Sequence, residues 1–178
     1  MTDATREDED PLVSLAREAI AAYINDHKVL QPSPPVKGAS RRAGTFVSLH
    51  LPDGSLRGCI GTIEPYQASV EEEIVANAIS AATSDPRFYP LTAAELPGLD
   101  ISVDVLGPAE EVKDPGELDP KRYGLIVRTL DGRQALLLPD LEGVDTVEQQ
   151  LRITCRKGSI DPDADQCRMF RFEVERHH

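Results

Sequence analysis

Leu56-Arg57-Gly58-Cys59-Ile60-Gly61-Thr62 places two glycines around one thiol, with a guanidinium two residues before it. Glycine weakens a strand unless a backbone or ligand must approach closely there. The run follows Pro52-Asp53-Gly54-Ser55, a turn signal, and Val47–Leu51 lies upstream, so the pattern predicts a β-hairpin over about Gly44–Ile63. With the turn centred on Asp53 and Gly54, the register sets Leu51 opposite Leu56, His50 opposite Arg57 and Ser48 opposite Cys59. One face then carries Val47, Leu49, Leu51, Leu56 and Ile60; the other carries Ser48, His50, Arg57 and Cys59. A one-residue slip would mix the two faces, which a half-buried sheet resists.

Two readings of the polar face stand side by side. In the first, Cys59 is a nucleophile or redox thiol, with Arg57 and His50 favouring its thiolate. In the second, Cys59 is a small buried hydrophobe and Arg57 pairs with a carboxylate.

Working outward, the 178 residues suit one domain, with room for two lobes. Aromatics make up only 4% and Trp is absent, so the core has to be aliphatic. A net charge of -12 without a basic stripe argues against a nucleic-acid partner. No apolar run approaches the length of a membrane span, and the acidic, polar start is no signal peptide. Three cysteines without close pairing fit a reduced, cytoplasmic protein. The spacings of Cys155, Cys167, His177 and His178 match no common zinc pattern, so no metal is expected.

Residues 1–10 read as a disordered acidic tail, with Asp10 and Pro11 opening a helix to about Asn25. Gln31–Gly38, with three prolines, reads as an extended loop. Ser69 and Glu72 open a second helix striped by Val70, Ile74, Ala78 and Ala81. Asn77 on that helix is either exposed or an amide aimed at the site. Asp85-Pro86-Arg87-Phe88 ends the helix, and Thr92 and Glu95 suggest another short capped helix. Ile101, Val103 and Val105 alternate as a strand. Asp131-Gly132 joins two further strands, 123–129 and 134–138. Asp145 and Glu148 suggest the cap of a helix ending at Gly158, and Phe170, Phe172 and Val174 alternate in one final strand. Tight turns between neighbouring strands make the class α+β. No Walker-type loop, dinucleotide fingerprint, HExxH motif or nucleophile elbow occurs.

The central run, with Phe46-Val47, Glu64-Pro65, Asn77-Ala78, Asp85-Pro86-Arg87-Phe88, Pro90-Leu91, Glu95-Leu96, Gly124–Val127 and Leu137-Leu138-Pro139 in order, resembles the AMMECR domain family. That family is also known as the A component of the AmmeMemoRadiSam system. The resemblance implies a two-lobed single α+β domain over residues 11–176, with an antiparallel sheet in each lobe and the N- and C-terminal segments together forming the larger one. It also implies a cleft between the lobes, faced by the central run, and partners of Memo-type and radical-SAM kinds. The chain departs from the family where Val144-Asp145 replaces a usual Trp-Asp pair.

The site expected on these grounds has Cys59, Arg57 and His50 as its chemical groups. Gly58, Gly61, Thr62, Glu64, Asn77, Asp85 and Arg87 are expected around a substrate, with Asn77 orienting a carbonyl and Glu64 or Asp85 acting as base. The function expected is that of an enzyme or enzyme-accessory subunit. The alternative is a non-catalytic scaffold that holds a protein or peptide with the same residues.

Overall fold

The computed structural model describes residues 9–32 and 41–178. These described residues form three α-helices and two four-stranded antiparallel sheets, an α+β architecture. The chain divides into two compact units: the N-terminal part up to Val105 together with Arg176–His178, and Leu106–Glu175. The expected tail over residues 1–8 and most of the proline loop lie outside the described residues. Glu9 and Asp10, assigned to that tail, are both engaged: Glu9 bonds Arg17, and Asp10 Oδ1 accepts the Leu12 N–H at 2.8 Å.

In the first unit, α1 (Pro11–Asp26) starts at that Asp10 cap and ends at His27, whose left-handed backbone turns its N–H back onto Ala22 and Tyr23. The hairpin is β1 (Thr45–His50) and β2 (Leu56–Gly61). α2 (Val70–Thr83) follows, capped by Ser69 accepting the Glu72 N–H. β3 (Asp100–Leu106) and β8 (Val174–His177) complete a sheet of order β2-β1-β3-β8. Val47, Leu49, Ile101 and Val103 alternate onto one face and pack with Val13, Ala16, Ala19 and Ile20 of α1 and Ile74, Ala78 and Ala81 of α2. The core is aliphatic, as the composition requires.

In the second unit, β4 (Glu110–Val112), β5 (Gly124–Thr129), β6 (Gln134–Leu137) and β7 (Cys167–Phe172) form a sheet of order β4-β7-β5-β6. Leu125, Val127 and Cys155 of α3 (Val147–Lys157) share its core.

Three expectations change. The capping box of α3 is Thr146 with Gln149, one residue later than Asp145 and Glu148, because Thr146 is the last residue with extended backbone before the helix begins at Val147. Thr92 and Glu95 form a turn before a 3-10 segment at Leu96–Gly98, not a helix. The final alternation breaks at Glu173: β7 belongs to one sheet and β8 to the other.

Candidate functional site

The hairpin closes one residue tighter than expected. Leu51 N–H donates to Ser55 O at 2.9 Å, leaving a three-residue loop, 52–54, with Gly54 at φ 81°. Such a loop needs a residue in the left-handed region, which glycine supplies. The tighter loop pairs His50 with Leu56, and a bulge at Arg57 then restores Leu49 opposite Gly58 and Ser48 opposite Cys59. So His50 does not face Arg57; the bulge takes Arg57 out of the ladder and re-aims it.

Hydrogen-bond parity fixes the surroundings of Cys59. Thr62 N–H donates to Thr45 O at 2.9 Å, so the pairs Val47–Ile60 and Leu49–Gly58 exchange backbone bonds while Ser48–Cys59 does not. Side chains approach closest at non-bonded pairs, and Ser48 Oγ lies 3.2 Å from Cys59 Sγ, donating to it. By the same parity the Cys59 N–H and C=O point away from β1, toward the open edge of the sheet. The Asp85–Phe88 segment covers that edge. Asp85 Oδ2 accepts the Cys59 N–H at 2.9 Å, and Arg87 Nη2 donates to Cys59 O at 3.4 Å. Exposed edges invite pairing by foreign strands, and this one is closed by an ion pair instead.

Asp85 has a side chain only 2% exposed; Arg87 is 56% exposed. The bidentate bonds from Arg87, at 3.0 and 2.7 Å, hold the Asp85 carboxyl well below its ordinary range against the opposing effect of burial, and the Cys59 N–H adds to them. Asp85 in turn raises Arg87, and the Cys59 thiol adds a smaller push in the same direction.

Arg57 serves a different partner. Its Nε donates to Glu95 Oε1 at 2.8 Å and its Nη1 to Tyr89 O at 3.0 Å. That bond, with the Thr92 N–H, lowers Glu95 to about 2. Both guanidiniums lie against Phe88, at 5.9 Å for Arg57 and 5.5 Å for Arg87 from the ring centre. The guanidinium that meets the backbone of Cys59 is therefore Arg87, not Arg57.

The glycines are filled from within. A Cβ at Gly58 would collide with the Ala81 carbonyl of α2, and one at Gly61 with the Phe46 ring across the strand pair. Asn77 follows neither expected course: it is 4% exposed, and its Nδ2 donates to Thr45 O, Thr45 Oγ1 and Thr62 Oγ1 at 3.0, 2.9 and 3.1 Å. The Thr62 hydroxyl donates in turn to Glu73 Oε1 at 2.7 Å, and Glu73 Oε2 accepts the Tyr66 and Gln67 N–H groups. This buried network fixes the segment after β2, which leaves Glu64 and Tyr66 exposed. Glu73 and Glu95 were not expected as site residues; Glu95 was read only as the cap partner of Thr92.

His50, Ser48 and Phe46 point from β1 to the face opposite the helices. There the register sets them beside Asp100, Ser102 and Asp104 of β3. Asp104 is paired to Arg176 of β8 at 2.7 Å. Among the described residues, no three His, Cys, Asp or Glu side chains converge as a metal site, and no helix is long and apolar enough to cross a membrane.

The family model described as AMMECR1 matches residues 13–177. A protein of Thermotoga maritima is 50% identical over 171 residues, 95% of this chain and 98% of that one. A protein of Clostridium acetobutylicum is 44% identical over 98% of this chain, which spans only 37% of that longer protein. A crystal structure of an uncharacterised protein from Pyrococcus horikoshii superposes with a TM-score of 0.82 at 32% identity, covering 93% of this chain and 88% of that one.

Proposed function

The chain belongs to the AMMECR1 family, and on that premise we propose that it is an enzyme or enzyme-accessory subunit whose working group is the Cys59 thiol. The observation that carries the reading is the Ser48 hydroxyl donating to Cys59 Sγ while Asp85 and Arg87 hold the Cys59 backbone. A donor to sulfur favours thiolate, the nucleophilic form. Arg87, half in solvent, lies beside it to receive an oxygen of an electrophilic substrate. Memo-type and radical-SAM proteins are the partners this reading takes from the family resemblance.

A second reading, a non-catalytic scaffold, draws on two observations. Tyr89 is 91% exposed although its carbonyl is pinned by Arg57, and rigidly held aromatic side chains suit interfaces. The Clostridium relative also carries the same stretch as one part of a longer chain.

Untargeted metabolite profiling of a deletion strain separates the two. The thiol reading expects the wild-type gene to restore the profile and Cys59→Ser to leave it altered. Full restoration by Cys59→Ser would overturn that reading and support the scaffold.

A further inference from the structure

The sequence pattern placed His50 on one face with Cys59; the face of the first sheet opposite the helices adds a group that the pattern did not join to them, Asp100. β1 and β3 pair without interruption from Thr45–Val105 to His50–Asp100, so the bulge on β2 leaves this register intact. Because Thr45, Val47 and Leu49 bond toward β2, His50 and Asp100 form a bonded pair, with side chains directly opposite on one face. Ser48, two residues before His50 on that face, touches Cys59. His50 is thus the diagonal neighbour of Cys59, and such neighbours, about 7–8 Å apart, lie within reach of an aromatic side chain.

The other charged groups on the elements around His50 are already matched: Arg57 with Glu95, Asp104 with Arg176, Asp53 with Ser55, Asp85 with Arg87. Asp100 is the carboxylate opposite His50 that has no ion pair among the described residues.

We propose that Asp100, His50 and Cys59 form a carboxylate–imidazole–thiol row across β3, β1 and β2, in which His50 takes the thiol proton and Asp100 orients the imidazole. The proposal rests on the thiol reading above. His50 acts on the reacting sulfur; Asp100 is a positioning residue. The S–H bond breaks as an imidazole N–H forms, giving thiolate and imidazolium. The thiolate then attacks an electrophile, whose leaving group departs with the electron pair, and the imidazolium returns its proton to solvent. Hydrogen bonds of such rows are often long before substrate binds and tighten in the complex.

The test is the pH profile of Cys59 alkylation by iodoacetamide, read by peptide mass spectrometry between about pH 5 and pH 9. The wild type should stay reactive well below the ordinary thiol pKa of about 8.5. His50→Gln should slow Cys59 by about tenfold or more at neutral pH and move the profile up toward that value. Asp100→Asn should give a smaller slowing with the same direction of shift, and Asp100→Glu should recover part of it. Melting should be unchanged in all three, because His50 and Asp100 lie outside the aliphatic core. A fast Cys59 indifferent to His50→Gln and Asp100→Asn would overturn the row and leave the thiol reading standing. A wild-type Cys59 no faster than buried Cys155 would overturn both.

Discussion

The Cys59 backbone N–H donates to Asp85 Oδ2 at 2.9 Å, from the outer edge of β2 to a carboxylate 26 residues later in the chain. Through this bond the Asp85-Pro86-Arg87-Phe88 segment acts as a substitute strand. Asp85→Ala should cost about 1–3 kcal/mol, the penalty for leaving a donor of this kind without its partner. Asp85→Asn keeps an acceptor and should cost less. Urea unfolding of both variants checks the order; equal stability of Asp85→Ala and wild type would contradict it.

The same geometry sets an acid limit. Asp85 and Glu95 both have folded-state pKa values below their unfolded ones, Glu95 at about 2. Their contribution is therefore present above the unfolded carboxylate range of about 3.9–4.3 and is lost as pH falls through the folded values. Melting temperature should fall from about pH 4 down toward pH 2. Glu95→Gln should show a shallower fall over that window, which a melting series across pH measures directly.

Gly58 and Gly61 should behave differently although they flank the same thiol. Alanine at Gly58 drives into the backbone of α2, which cannot move without disturbing the core, so about 1–3 kcal/mol should be lost. Alanine at Gly61 collides first with the Phe46 ring, a side chain that can turn aside. Gly61→Ala should cost less, and Phe46→Ala should absorb part of that cost. A double-mutant cycle on Gly61 and Phe46 should then show clear non-additivity.

Arg57 and Arg87 divide the work that one guanidinium was expected to do. Arg57→Met breaks the bonds to Glu95 and Tyr89, so it should lower melting and leave Cys59 alkylation near its wild-type rate. Arg87→Met removes the guanidinium that bonds Cys59 O, so it should slow alkylation at neutral pH. The reverse pattern would restore Arg57 to the thiol.

The hairpin, the Ser48–Cys59 pairing and the aliphatic core were legible because alternation and turn residues encode them locally. The bulge at Arg57 was not: it arises from a loop closing at Ser55 rather than Leu56, a difference of one backbone bond. Asn77 was read only as a poor helix former, since nothing in the spacing reveals that Thr45 and Thr62 would meet its amide. The split of 167–177 between two sheets was hidden for a related reason. Phe170, Phe172 and Val174 alternate without a break, and only the change of sheet at Glu173 separates them. The glycines suggested space for a ligand, and the helix carbonyl and ring that fill it come from distant segments.

The most direct test is site-resolved alkylation of the native protein by iodoacetamide at neutral pH, comparing its three thiols. Burial pushes the Cys155 thiol up, so it is the slow internal reference. With Ser48 donating to its sulfur, Cys59 should react fastest of the three, and Ser48→Ala should reduce that lead. A Cys59 that reacts no faster than Cys155 and Cys167, with or without Ser48, would contradict the account.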